Sequence, residues 1–275
     1  MHCSFFILSL LLLLAGCAGT SVESRWEIAR ALAKAGAFTY SEIATTTFTF
    51  ATYGRIGFSE EVTVYIEGDG FAYSTLSEIS TNPTPLNPTG LKLATLDGGE
   101  SVIYLARPCQ YVDLEAERFC SNKYWSSHRF SEEVISAYEQ ALDKIKNIVG
   151  ATSFHLVGYS GGGAVAVLIA ANRADIVSVR TVAGYLDHVA LNERMGVSAL
   201  TGSLDPMRVA MALKGIPQIH YAGANDKVIP PWVVEKFVAA VDDPKCVRFL
   251  SLDRVGHERG WSKHWEKLGY IEPTC

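Results

Sequence analysis

The sequence predicts an α/β protein in which a mostly parallel central sheet carries helices on both faces. Three observations predict it. Short apolar runs bounded by turn residues recur at 61–66, 102–106, 153–159, 216–222 and 247–252, the pattern of strands buried on both faces. Helical patterns stand between several of them, including residues 131–149 and the Ala/Val-rich run after Gly163, and strand-helix-strand alternation implies parallel pairing with cover on each side. The composition, 48% hydrophobic against 19% charged over 275 residues, supplies one large core.

Taken in order, the chain opens on the apolar run Phe5-Phe6-Ile7-Leu8 through Leu14, too short to span a bilayer as a helix and suited to the core of a signal peptide. Leu14-Ala15-Gly16-Cys17 follows and resembles a bacterial lipobox, although the preceding segment carries no Lys or Arg. The resemblance implies cleavage before Cys17, lipidation of that cysteine and a lipid-anchored place in the bacterial cell envelope. Ala18 in place of an aspartate resembles lipoproteins released to the outer membrane, facing the periplasm in a Gram-negative host. The expected organisation is a signal peptide over 1–16, a tether and amphipathic helix over 17–37, and a single α/β domain over 38–275. Within that domain, residues 45–51 alternate as an early strand.

Six cysteines are present; Cys3 leaves with the signal peptide and Cys17 would carry lipid, so four remain. An even remainder in an oxidising compartment reads as two disulfides. Of the three possible pairings, Cys109 with Cys120 and Cys246 with Cys275 is the expected one, since the first closes a short loop and the second ties the chain end to the last strand. The spacing fits no zinc pattern, and no metal or cofactor is expected. A net charge of −5 without a Lys/Arg cluster argues against a nucleic-acid surface.

The chemistry concentrates in Gly158-Tyr159-Ser160-Gly161-Gly162, a Gly-x-Ser-x-Gly pentapeptide between the apolar run 153–157 and an Ala/Val-rich helical pattern. A serine hydroxyl is a weak nucleophile and must stand clear of the chain, where a base can take its proton. A strand turning abruptly into a helix achieves this and demands small neighbours. The amide of Gly161 then lies at a helix N-terminus, where it can face a developing oxyanion. Further on, Asp226 sits on the Gly/Asn/Asp turn after 216–222, before a helix opening with Pro230 and Pro231. His257 lies beside Gly256 on the loop after 247–252.

The order Ser160, Asp226, His257 resembles that of the α/β-hydrolases. The resemblance implies Ser160 as nucleophile, His257 as base and Asp226 as the acid that orients it. Asp187 is the rival acid, one strand earlier. Of the other histidines, His155 and His220 fall inside apolar strand runs as expected core residues, and His264 lies on a terminal helix pattern. Where family members carry a His-Gly-Gly oxyanion loop this chain has Glu67-Gly68-Asp69-Gly70-Phe71. The second oxyanion N–H is therefore sought on Gly70 or Asp69, with Phe71 as a third option.

Residues 82–88, with three prolines, and the aromatic residues Tyr124, Trp125 and Phe130 could wall an acyl pocket or simply pack. The short interval 183–213 implies a modest cap. The expected activity is cleavage of a carboxylic ester by a serine hydrolase. Amide cleavage is the alternative within enzymes, because Ser160-Gly161-Gly162-Gly163 also resembles the elbow of prolyl-peptidase relatives. An inactive envelope-binding lipoprotein is the alternative outside them.

Overall fold

A computed structural model describes residues 21–275; the expected signal peptide over 1–16 and Cys17 lie outside the described residues. Eight strands form one sheet in the order β1-β2-β4-β3-β5-β6-β7-β8. They span Thr39–Ala44 (β1), Thr49–Arg55 (β2), Glu61–Ile66 (β3), Val102–Leu105 (β4), Ser153–Tyr159 (β5), Ile176–Val182 (β6), Gln218–Gly223 (β7) and Val247–Leu252 (β8). The pairings β1/β2 and β2/β4 are antiparallel, and every pairing from β4 through β3 to β8 is parallel.

The seven α-helices among the described residues are α1 (Val22–Ala35), α2 (Thr89–Thr95), α3 (Glu132–Val149), α4 (Gly161–Ala170), α5 (His188–Met195), α6 (Pro231–Val241) and α7 (Trp261–Leu268). Side-chain alternation along the strands divides the core in two. Val62, Val64 and Ile66 of β3, Ile103 and Leu105 of β4, and Phe154 and Leu156 of β5 face α3, α4 and α6. Tyr65, Tyr104, Val157 and Tyr159 face the other way, against α1, α2 and α7. The helix α1 is part of this second layer, burying Ala29 and Ala33. No helix among the described residues is long and apolar enough to cross a membrane.

Two local expectations need correction. The early strand is a hairpin: β1 ends at Ala44, and residues 45–48 turn the chain, with Thr45 N–H donating to Phe48 O and the Thr45 hydroxyl also serving the turn. Alternating Thr and Phe read as a strand because the turn is made by threonine side-chain bonds rather than by Gly or Pro. His155 is not a packed core residue; its ring is part-exposed at the bottom of β5, between Ser178 Oγ (2.7 Å) and Glu61 Oε2 (3.1 Å). His220 is fully buried as expected, bonded to Thr181 and Gln218, and burial pulls its pKa down to about 3.

Both disulfides form with the expected pairing, Cys109–Cys120 and Cys246–Cys275. The strand order places β3 between β4 and β5, so the chain leaves β3 in one direction and returns on its other side. The resulting crevice at the carboxyl ends of β3 and β5 is where open α/β sheets bind ligands.

Candidate active site

Ser160 sits between β5 and α4 with φ 51° and ψ −119°, a conformation that L-residues rarely adopt. The surrounding backbone holds it there. Ser160 N–H donates to Val182 O, and Ser160 O accepts from both Gly163 N–H and Tyr185 N–H. Close approach explains the flanking glycines: a Cβ on Gly158 would lie 2.2 Å from Gly162 O, and one on Gly162 would lie 2.2 Å from Ile66 O. The elbow thus presses directly on the end of β3.

The other two members arrive from the turns after β7 and β8. Asp226 is buried, and its Oδ1 accepts from Val228 N–H and Ile229 N–H, both at 2.8 Å. Its Oδ2 meets His257 Nδ1 at 2.8 Å, and His257 Nε2 meets Ser160 Oγ at 3.0 Å. A carboxylate can only accept, so Nδ1 carries the proton and Nε2 is left bare to receive the serine hydrogen. The two turns are tied to each other by Ala224 N–H to Leu252 O and Asn225 N–H to Val255 O. The carbonyl of His257 is pinned by Tyr159 Oη and Trp261 Nε1. The rival Asp187 is elsewhere engaged: it caps α5 through Ala190 N–H and pairs with Lys236.

After β3 the chain runs along the elbow, and a Cβ on Gly68 would lie 3.2 Å from Ser160 Cβ. Glu67, standing in the histidine position, is buried where the loop borders the cleft. It accepts from Gly68, Gly90 and Leu91 N–H and so anchors the loop to the start of α2. Burial raises its carboxyl pKa, with the three amides pulling the other way. The amides of Asp69 and Gly70 make no hydrogen bond among the described residues, whereas Phe71 N–H donates to Pro83 O and is removed from the candidates. Gly70 has φ +67°, and a Cβ there would meet Pro83 O at 2.1 Å.

The Asp69 side chain does something the sequence did not announce. Its Oδ1 takes Arg107 Nη1 at 2.9 Å and its Oδ2 takes Arg129 Nη1 at 2.5 Å. Burial alone would raise the Asp69 carboxyl, but Arg129 and Arg107 together hold it below its ordinary value. The carboxylate packs on the elbow, since a Cβ on Gly161 would lie 2.1 Å from Asp69 Oδ1. Gln110 completes the support, donating to Gly68 O and accepting from Arg107 N–H. Arg129 and Gln110 carried no sequence signal, because they converge on Asp69 and Gly68 from 60 and 42 residues away.

These groups border a cleft of about 330 Å³ over Ser160 and His257, walled by Phe71, Tyr73, Leu86 and Val228 together with Arg129 and Glu258. The proline-bearing segment contributes Pro85, Leu86 and Asn87 to the walls. Tyr124, Trp125 and Phe130 are instead core residues, and the Trp125 indole donates to Ser80 O. The β6–β7 connection, with α5 and a 3-10 turn at Pro206–Leu213, supplies none of the cleft's lining residues. Among the described residues no three His, Cys, Asp or Glu side chains converge as metal ligands would.

Comparison with known proteins agrees with this geometry. The family model described as Serine hydrolase (FSH1) matches residues 86–253. No curated protein matches the chain by sequence. Among solved structures, Est1E from Butyrivibrio proteoclasticus is similar with a TM-score of 0.57 at 13% identity, over 84% of this chain and 95% of that one. An esterase from Pyrococcus furiosus gives 0.58 at 13% identity, over 86% and 91%. The acylaminoacyl peptidase of Pyrococcus horikoshii gives 0.58 at 11% identity, over 84% of this chain but 40% of that one. At such identities the likeness is one of fold, that of the α/β-hydrolases.

Proposed function

The chain belongs to the serine hydrolase (FSH1) family, and from that premise we propose that it cleaves a carboxylic ester through an acyl-enzyme on Ser160. The observation that carries this reading is the unbroken hydrogen-bonded series Ser160 Oγ, His257, Asp226, of which Ser160 and His257 line the cleft. As Ser160 Oγ bonds to the acyl carbon, its proton passes to His257 Nε2, and Asp226 stabilises the imidazolium that forms. The bond to the alcohol oxygen then breaks and that oxygen takes the proton from His257. A water repeats the sequence in reverse: it loses a proton to His257, bonds to the acyl carbon, and Ser160 leaves and recovers its hydrogen. The negative charge on the carbonyl oxygen is held by the N–H of Gly161, at the head of α4, with that of Asp69 or Gly70.

Ester is put before amide because the Pyrococcus furiosus esterase shares this fold over 91% of its own length. The likeness to the acylaminoacyl peptidase keeps amide cleavage as the second reading, and it covers only 40% of that protein. We also propose that Cys17 carries a lipid anchor, on the strength of Leu14-Ala15-Gly16-Cys17; α1 begins at Val22, so the anchor would hold the domain close to the membrane.

The test is labelling with a fluorophosphonate, comparing wild type with Ser160→Ala and His257→Ala, followed by matched ester and amide substrates. Labelling is expected in wild type and is lost in both variants. A folded wild type that does not label would overturn the reading in favour of a binding role. Detergent-phase partitioning lost in Cys17→Ala tests the anchor.

A further inference from the structure

The Arg107–Asp69–Arg129 cluster has one more cation than anion, and the surplus faces the cleft. Arg129 is more than nine-tenths buried, and its position is fixed on every side but one. Its Nε donates to Ser126 O at 2.8 Å, its Nη1 holds Asp69, its carbonyl accepts from Arg107 Nη2, and the guanidinium lies over the Tyr73 ring at 5.9 Å. A guanidinium has five N–H donors in a rigid fork. Nη2 makes no hydrogen bond among the described residues, and Arg129 lines the cleft. Asp69 holds its carboxylate at the elbow, and burial, which works against the Arg129 charge, is outweighed by that carboxylate, so the guanidinium stays charged.

A desolvated, pre-positioned cation with an unused Nη2 donor beside an ester-sized cleft is a receptor for an anion. Asp69 cannot serve as that anion's substitute, because both its oxygens are already taken. Of the two other carboxylates in the lining, Glu67 is taken up by the amides of Gly68, Gly90 and Leu91, and Glu258 lies beside the triad histidine and is engaged by Asn87 Nδ2 at 3.4 Å. The cleft is therefore polarised, cationic at the Asp69 side and anionic at the His257 side, which sets one direction for a charged substrate.

Resting on the acyl-enzyme reading above, we propose that Arg129 determines specificity by binding a carboxylate carried by the substrate, so that the preferred substrates are esters with a free acid group. The acid group can stand on either half of the ester, and two substrate pairs separate these cases. 4-Nitrophenyl hydrogen adipate against 4-nitrophenyl methyl adipate places the charge on the acyl half. 4-Carboxyphenyl acetate against its methyl ester places it on the alcohol half. Wild type is expected to favour the acidic member of one pair by about tenfold or more in kcat/KM. Arg129→Gln is expected to lower kcat/KM for that member by roughly 10–100-fold more than for its neutral twin, the range of a charge-assisted hydrogen bond. Arg129→Lys, which keeps the charge and loses the fork, recovers part of the difference.

A binding arm is independent of turnover: calorimetry of monomethyl adipate against dimethyl adipate on Ser160→Ala, with and without Arg129→Gln. Tighter binding of the acid, lost with Arg129, supports the proposal even if the protein never labels with a fluorophosphonate. No preference for either acidic ester in wild type, or an equal loss for acidic and neutral members in Arg129→Gln, overturns it while leaving the serine-hydrolase reading standing. Arg129→Gln leaves Asp69 paired one-to-one with Arg107, so the variant is expected to fold. Should it not, the wild-type preference within the two substrate pairs decides the matter.

Discussion

Asp226, which is buried, and Asp69, which is part-buried, stand on two sides of the Ser160 site, and they are held in opposite ways. Asp226 is oriented by the backbone: two amides fix one oxygen, leaving the other to face His257. Asp69 is oriented by side chains: two guanidinium groups from distant segments take one oxygen each. The first arrangement leaves a negative charge free to act on a histidine. The second neutralises a negative charge that packs directly on the elbow at Gly161. A carboxylate near a nucleophile is thus not by that fact an acid of the triad; its partners decide what it does.

The largest effect that separates the two sites should come from Asp226→Asn, which keeps the shape but lets the imidazole tautomer reverse. A loss of about 10²–10⁴ in kcat is expected, with little change in KM or in unfolding midpoint. Asp69→Asn should do the reverse, since it leaves two buried cations facing each other. Denaturant unfolding is expected to show a cost of about 3 kcal/mol, with a smaller loss in kcat than Asp226→Asn. If Asp69→Asn instead spared stability and abolished turnover, the contrast between a catalytic and a structural aspartate would fail.

The loop that delivers Arg107 and Gln110 can be loosened without touching either. Cys109 and Tyr111 both have positive φ, 69° and 53°, in a segment closed by the Cys109–Cys120 disulfide. Replacing both cysteines with serine is expected to cost about 2–3 kcal/mol, the magnitude for a short closed loop, and to lower kcat several-fold by relaxing the support of Asp69 and Gly68. Full activity in the double variant would show that the charge cluster holds itself.

The smallest effect on chemistry, and a control for it, belongs to His220. Its folded pKa of about 3 lies below the ordinary 6.5, so between these values the unfolded chain binds a proton that the folded chain does not. Its contribution is complete above about pH 6.5 and is lost as pH falls toward 3, with a slope of up to about 1.4 kcal/mol per pH unit. His220→Gln should flatten that acid slope of stability while leaving fluorophosphonate labelling at neutral pH intact.

Local sequence was sufficient wherever a few consecutive residues carry the whole instruction. The elbow is legible because strain at Ser160 and contact with β3 require glycine at fixed offsets, and the strand-turn segments that end in Asp226 and His257 carry their own apolar runs and turn residues. The chain order of the three then specified a sheet with one working edge. Other features had no such local mark. Thr45–Phe48 reverses the chain by threonine hydrogen bonds that mimic a strand pattern. Glu67 looked like a replacement for an oxyanion histidine, and proved to be a brace for α2 only once Gly90 and Leu91 were brought to it.

By itself, then, the sequence determined the α/β class, the disulfide pairing that it favoured and the three residues that meet in the hydrogen-bonded series. The first follows from periodicity, the second from the spacing of the four cysteines, and the third from turn chemistry read through the resemblance to the α/β-hydrolases. Only the tertiary structure decided that Asp69 is neutralised by Arg107 and Arg129, that Phe71 N–H is already used, and that Arg129 lines the cleft with Nη2 unbonded among the described residues. Charge balance and hydrogen-bond saturation are properties of groups brought together from 38 and 60 residues apart, and no local pattern encodes them.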